Sequence, residues 1–237
     1  MSVTNDDLPT NLRVNGQKRK IGFLLCLLVL AMSNLQATEP STNFTQFMSV
    51  LSSRYGDTAV LRGSAWQAAL KNLESLPVTE QLTGINQFFN QTIRWQSDNE
   101  IYGENDFWAT PTETLGLGRG DCEDFTIAKY VSLRHLGVPA DQLRLTYVRL
   151  QTSGGRSQAH MVLAWYAKPG AVPLILDNAN TAILPASQRR DLLPVFSFSS
   201  NALWVEGRQQ RANINPSSRL SQWRQMLNRA QAEGIVL

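Results

Sequence analysis

From residue 43 onward, apolar positions recur at helical spacing. Phe44, Phe47, Met48 and Leu51 share one stripe and predict a helix over 43–53. Trp66, Ala69, Leu70 and Leu73 extend the pattern over 57–75, with Pro77 beyond its end. Thr79 stands where it would cap a third helix carrying Leu82, Ile85, Phe88 and Phe89. These aromatics read as core. Residues 96–121 then read as a long, polar loop. Within it, Thr110-Pro111-Thr112-Glu113 has the form of a capping box with proline at the first helical position. A short helix there should end in the Gly116/Gly118/Gly120 run. The next helix starts at Asp121 or Cys122 and runs to about Leu136, where Gly137 and Pro139 stop it.

After residue 142 the period changes to two. Leu143, Leu145, Tyr147 and Arg149 alternate with Arg144, Thr146, Val148 and Leu150, which predicts a strand. Ser153-Gly154-Gly155-Arg156 is a turn, 158–168 a second strand and 173–177 a third. Weaker strand patterns cover 195–198 and 202–205. A last helix begins at Asn215-Pro216 and turns Leu220, Trp223, Leu227 and Ala230 inward. Helices followed by an antiparallel meander define an α+β domain, with the N-terminal helices packed on an antiparallel sheet.

The 237 residues, 43% hydrophobic, suffice for one domain with a substantial core. The first 37 stand apart. Lys18, Arg19 and Lys20 precede an apolar run from Ile21 to Met32, and Leu35-Gln36-Ala37 offers a cleavage site. That order is the one of a secretory signal, and the run is shorter than the roughly 20 residues a membrane span needs. The expected organisation is a signal peptide over 1–37 and one domain over 38–237, with no stable membrane insertion after cleavage. The leader holds Arg13, Lys18, Arg19 and Lys20 against Asp6 and Asp7, so the net charge of +3 falls to +1 without it. Such a balance gives no basic face for nucleic acid.

Cysteine counting becomes informative at this point. Of the two cysteines, Cys26 lies in the leader and only Cys122 remains. No intramolecular disulfide can form, and a lone thiol in an oxidising compartment is a hazard unless buried or used. The run GLGRGDCEDF puts Cys122 in the first turn of a helix behind a glycine-rich turn. Free N–H groups at a helix start favour a thiolate and can face an oxyanion.

A thiolate needs a base, and the chain has two histidines. His135 lies at the far end of the same helix, about 20 Å away at about 1.5 Å per residue, and cannot reach. His160 lies in the second strand, on one face with Val162, Ala164 and Tyr166. The third strand ends at Asp177, and a turn at Lys168-Pro169-Gly170 makes it the antiparallel neighbour of the His160 strand. Asp177 can then hold the far ring nitrogen of His160. Cys122, His160 and Asp177 are the candidate nucleophile, base and orienting acid.

Asp121, Glu123 and Asp124 crowd the thiol and oppose its ionisation. Two readings fit these residues: caps that complement the helix dipole, or carboxylates that hold a hard cation such as Ca²⁺. Further oxygen ligands would come from loop carbonyls, water, or Glu100, Glu104, Asn105 and Asp106. Trp108 lies upstream, either folded over the site or pinning its loop to the core. Asn178 receives no role.

The runs DFWATP, GRGDCEDF, QAHMVLAWY and LILDN resemble the bacterial transglutaminase-like cysteine proteinases, in particular their periplasmic LapG group. The likeness covers roughly Trp95 to Val205. It implies a papain/transglutaminase-like fold and a Cys-His-Asp triad at Cys122, His160 and Asp177. It also implies a periplasmic, calcium-dependent endopeptidase that cuts near the N-terminus of a large surface adhesin, often beside paired alanines. Adhesin release would promote biofilm dispersal, and an inner-membrane receptor responsive to cyclic di-GMP would sequester the enzyme. The resemblance turns the acidic cluster towards Ca²⁺, with Asp121 and Glu123 as ligands and Asp124 a weaker candidate. A transglutaminase, another amide hydrolase and a non-catalytic binding module remain as rival functions.

Overall fold

The computed structural model describes residues 40–152, 154–199, 203–205 and 221–237, all within one contact unit, Thr38–Leu237. The expected leader and the expected helix start at Asn215-Pro216 lie outside the described residues.

Strand β1 (Ser41–Thr42) leads into α1 (Phe44–Tyr55), where Asn43 Oδ1 caps the Gln46 N–H at 3.2 Å. Helix α2 (Asp57–Leu73) follows and buries Trp66, whose indole N–H donates to Ser132 Oγ at 2.8 Å. Helix α3 (Val78–Thr92) turns Leu82, Ile85 and Phe89 into the core. Its N-cap is Pro77, not Thr79. Proline has no N–H to satisfy and its fixed φ suits a helix entry, so the helix starts ahead of the expected cap.

Strand β2 (Arg94–Trp95) precedes an unexpected short helix, α4 (Asp98–Tyr102). Ser97 and Glu100 form its capping box, a signal inside a segment that reads as loop. Helix α5 (Pro111–Leu117) has the expected box: Thr110 Oγ1 accepts from Glu113 N–H at 3.0 Å, and Glu113 Oε2 accepts from Thr110 N–H at 2.8 Å. Gly118, at φ 66°, ends it in the left-handed region that only glycine enters readily. Strand β3 (Arg119–Gly120) pairs with β2 in parallel.

Helix α6 (Cys122–His135) packs against α3, α5 and two strands of the main sheet, so it is buried on most faces. Ile127, Ala128 and Leu133 have no exposed surface. Burying a side chain the size of Ile127 or Leu133 contributes about 1.5–3 kcal/mol. That burial anchors the helix whose first residue is Cys122.

Strand β4 (Leu143–Gln151) pairs antiparallel with β5 (Ser157–Trp165) along its whole length. Strand β6 (Leu174–Leu176) joins β5 only at Leu163–Trp165, and β7 (Leu184–Pro185) joins β6. Strand β8 (Leu192–Phe198) lies on the other side of β4, with β9 (Leu203–Val205) outside it. The order β7-β6-β5-β4-β8-β9 is antiparallel throughout. Strand β5 stops at Trp165, short of the expected Lys168, and β8 starts at Leu192, ahead of the expected Val195. Exposed Leu193 and Val195 had blurred its alternation.

Helix α7 (Ser221–Ala232) buries Trp223, Met226 and Ala230, with Leu227 only partly covered. Strand β10 (Ile235–Val236) returns to pair with β1. The result is the expected α+β arrangement, with helices on an antiparallel sheet. Among the described residues, no helix is long and apolar enough to cross a membrane.

Candidate active site

The turn before α6 is built around Gly120. A Cβ there would lie 2.6 Å from Asp124 Oδ2 and 2.7 Å from its Cβ, so only glycine lets Asp124 fold back. Asp124 is fully buried and accepts from Ala109 N–H at 2.8 Å and Asp121 N–H at 3.2 Å. Asp121 Oδ1 in turn accepts from Glu123 N–H at 3.2 Å. This reciprocal box fixes the first turn of α6 and sets Cys122 at its head.

Cys122 is partly buried, and its thiol donates to Glu123 Oε2 at 2.6 Å. Burial pushes the thiol pKa well up, and the charges of Glu123 and Asp121 push it further. A hydrogen bond to the Met161 backbone opposes them. The helix start alone therefore does not yield the thiolate that the sequence pattern suggests; burial and neighbouring carboxylates outweigh it.

His160 and Asp177 are both buried, and His160 Nε2 lies 2.8 Å from Asp177 Oδ1. Burial acts to raise the Asp177 pKa. Hydrogen bonds from His160, Ala179 N–H and Arg189, with the imidazole charge, hold it down at about 2. An ionised carboxylate can only accept, so Nε2 carries the proton and Nδ1 is left as the basic nitrogen. Arg189, which the sequence did not single out, donates to Asp177 Oδ2 at 2.8 Å and also binds Asp191. Asn90 Nδ2 donates to the Asp177 carbonyl at 2.9 Å, and buried Lys129 donates to Asn90 Oδ1 at 2.8 Å.

Cys122 and His160 line one cleft of about 540 Å³, together with Asp121, Glu123, Asn178 and Trp95. Asn178 carries a buried side-chain oxygen without a hydrogen-bond partner among the described residues. His135 sits at the other end of α6, against Thr42 Oγ1 and the edge of Phe44. Trp108 is core, 3% exposed and stacked on Phe198, so it does not fold over the site. The aromatic at the cleft is Trp95, 59% exposed.

The acids around the thiol form two overlapping groups. Asp121, Cys122 and Glu123 bring ligand atoms within 4.8 Å of one another, and so do Asp98, Asp121 and Asp124. Asp98 was missed because it lies 23 residues upstream in a segment read as loop. Its Oδ2 accepts from Phe107 N–H at 2.7 Å, while Oδ1 is buried without a partner among the described residues. Burial, then the charges of Glu123, Asp124 and Asp98, push the Asp121 pKa up to about 10. Of the other acids considered, Glu100 caps α4 and Asp106 accepts from the Trp108 indole.

A thiol at a helix start, sharing a cleft with a β5 histidine that is bonded to an aspartate just past the end of neighbouring β6, defines the class: a papain/transglutaminase-like thiol hydrolase. The family model of the bacterial transglutaminase-like cysteine proteinases matches residues 63–210. The chain belongs to this family and is a cysteine proteinase. It is also similar to solved structures of LapG from Legionella pneumophila. One shares 37% identity over 80% of this chain and 98% of that one, with a TM-score of 0.69. The EGTA-treated form gives 38%, 80%, 98% and 0.69. The calcium-bound form gives 39%, 78%, 98% and 0.67. No curated protein matches the chain.

Proposed function

We propose that this chain is a calcium-dependent periplasmic endopeptidase, made with a cleaved leader over 1–37. It cuts the N-terminal region of a large surface adhesin, releases it and so promotes biofilm dispersal, under control of an inner-membrane receptor responsive to cyclic di-GMP. The observation that carries the catalytic reading is the buried His160–Asp177 pair, 2.8 Å apart, whose His160 lines the cleft that holds Cys122. Membership of the proteinase family supports hydrolysis, and the likeness to LapG supports the substrate class, the compartment and the regulator.

In this mechanism His160 Nδ1 takes the thiol proton of Cys122, and the sulfur attacks the peptide carbonyl. The N-terminal N–H groups of α6 hold the oxyanion. His160 then protonates the leaving amine and afterwards activates the water that frees the acyl group from the sulfur. Asp177 keeps the imidazole in the tautomer with the proton on Nε2, and Arg189 keeps Asp177 charged.

The residues present fit a hard cation. Three carboxylates crowd the first turn of α6 and a fourth reaches them from α4, that fourth has a buried oxygen without a partner among the described residues, and Asp121 ionises only with difficulty. Asp121 and Glu123 would hold Ca²⁺, with Asp124 a further candidate and Asp98 completing the set from α4. When bound, Ca²⁺ supplies positive charge that offsets these acids and favours ionisation of the neighbouring thiol. The calcium-bound LapG structure supports this reading.

The test is incubation of an N-terminal adhesin fragment from the same cell with wild type, with Cys122→Ala and with wild type in EGTA. A discrete cut by wild type alone is expected. A cut that survives EGTA removes the metal requirement. A cut by Cys122→Ala overturns the mechanism.

A further inference from the structure

Two of the four carboxylates at the candidate cation site are aimed by main-chain donors of one connecting segment. Phe107 N–H donates to Asp98 Oδ2 at 2.7 Å, and Ala109 N–H donates to Asp124 Oδ1 at 2.8 Å. Asp98 lies on α4 and Asp124 on α6, so this segment ties the two helices together at the site. Residues 103–110 themselves form neither helix nor strand. No regular ladder fixes their course, so other contacts must hold their backbone groups in place.

Those contacts come from the C-terminal helix α7 and the residue after it. Gln222 Nε2 donates to Asp106 Oδ2 at 3.0 Å. The Arg229 guanidinium lies 4.6 Å from the centroid of the Phe107 ring. Its Nη2 donates to the Trp108 carbonyl at 2.5 Å, and its Nε to Glu113 Oε1 at 3.1 Å. Thr110 Oγ1 donates to Oε2 of buried Glu233 at 2.5 Å, just past the end of α7. Of these, the Arg229 contact acts most directly on the site. The carbonyl of Trp108 and the N–H of Ala109 belong to one peptide group. That group is planar and trans, so its C=O and N–H point in opposite directions. Fixing the oxygen at Arg229 therefore fixes the direction of the N–H that meets Asp124. A cationic donor on the oxygen also polarises the group and strengthens the bond its N–H makes.

We infer that Arg229 is a positioning residue of the cation site, acting from the C-terminal helix through the Trp108–Ala109 peptide group. It aims Asp124 through that group, and it restrains Phe107, the donor to Asp98, by covering its ring. Asp124 also accepts from Asp121 N–H, so the same contact reaches the first turn of α6. The guanidinium suits this task because its planar fork serves a carbonyl and a carboxylate at once, in one fixed geometry. Glu113 holds the fork in place, and its Oε2 accepts from Thr110 N–H at the far end of the segment. The signal is absent from the sequence around the acids, because the arginine lies near the end of the chain and only the fold brings it to Trp108. The inference rests on the cation reading.

The test measures Ca²⁺ binding by isothermal titration calorimetry, and thermal melts in Ca²⁺ and in EGTA, for wild type and Arg229→Met. Removing an outer contact to a metal ligand weakens binding about 10- to 100-fold. Arg229 acts one peptide group further out, so a Kd raised about 10-fold is expected, the low end of that range. The gap between the Ca²⁺ and EGTA melts should narrow with it. A merely structural arginine would lower both melts by the same amount and leave Kd unchanged, and that result overturns the inference. If Arg229→Met does not fold, Arg229→Lys takes its place, since an ammonium keeps the charge beside Glu113 without the fork. A raised Kd in that variant supports the inference, and the wild-type Kd overturns it. The absence of Ca²⁺ binding by wild type is a different failure. It removes the cation reading and this inference with it, whereas binding at wild-type strength in the variant removes the inference alone.

Discussion

Arg189 Nη2 donates to Asp177 Oδ2 at 2.8 Å, on the opposite oxygen from the one that meets His160. Both oxygens of this buried carboxylate are thus committed, one to a cation and one to the imidazole. The carboxylate can neither rotate nor neutralise without breaking a bond. Arg189→Met should leave a buried charge uncompensated and destabilise the protein by about 3–5 kcal/mol. A loosened imidazole should lower kcat about 100-fold. Arg189→Lys should recover only part, because an ammonium cannot reproduce the two-sided contact with Asp177 and Asp191. Urea denaturation and peptidase assays on the two variants check this, and wild-type kcat in Arg189→Met would refute it.

The same carboxylate sets an acid limit. Its folded value of about 2 lies below the ordinary 3.8. A group depressed on folding contributes stability that is present above the unfolded pKa and lost as pH falls through the folded one. The window therefore runs from about pH 4 down to about pH 2. The stability difference between wild type and Asp177→Asn should be constant above about pH 5 and shrink through that window. A difference that stays flat down to pH 2 would exclude this assignment.

Much of the candidate site was readable from the chain because each member carries a local signal. Cys122 follows a glycine turn, His160 interrupts an apolar alternation, and Asp177 ends an apolar run. The partners that support them carry no such signal. Arg189 lies in a polar stretch after a two-residue strand, and only the fold brings it to Asp177. Lys129 reads as one more helical lysine, yet α6 is covered on most faces and the ammonium is buried. Asp98 belongs to a five-residue helix whose capping box went unread. The run β4-β5-β6 was legible as an antiparallel meander, but not β7, which is only two residues long, nor the return of β8 to the far side of β4, which only the fold decides. The opposition of the neighbouring acids to thiol ionisation was legible, but the burial that adds to it was not. Helix position is a sequence property, whereas burial and the aim of Glu123 are tertiary ones.

Calcium should stabilise the folded chain, because a cation that binds only the folded state adds about 2.7 kcal/mol at one hundred times its Kd. Thermal melts with Ca²⁺ and with EGTA should separate by several degrees. Asp98→Asn should weaken binding by isothermal titration calorimetry while leaving the α6 capping box intact. Asp121→Asn should weaken it more, since Asp121 belongs to both carboxylate groups. Identical melts with and without Ca²⁺ would remove the ion from the mechanism.

Lys129 provides a prediction in the alkaline range. Its ammonium is buried and reaches Asn90, which in turn holds the Asp177 carbonyl. Burial lowers its pKa to about 7 from 10.5, with the Asp177 charge acting in the opposite direction. The unfolded chain therefore binds the extra proton between about pH 7 and 10.5 while the folded chain does not. Stability should rise with pH across that window, because unfolding there takes up a proton. Lys129→Met cannot take part in that exchange. Urea melts at intervals from pH 7 to 10 should show wild type gaining on the variant as pH rises, and parallel curves would refute the shift. The variant also frees Asn90 Oδ1 from its donor. A fall in kcat at unchanged KM would show that the Lys129–Asn90 contact positions Asp177, whereas wild-type kcat with the altered pH slope would confine Lys129 to stability.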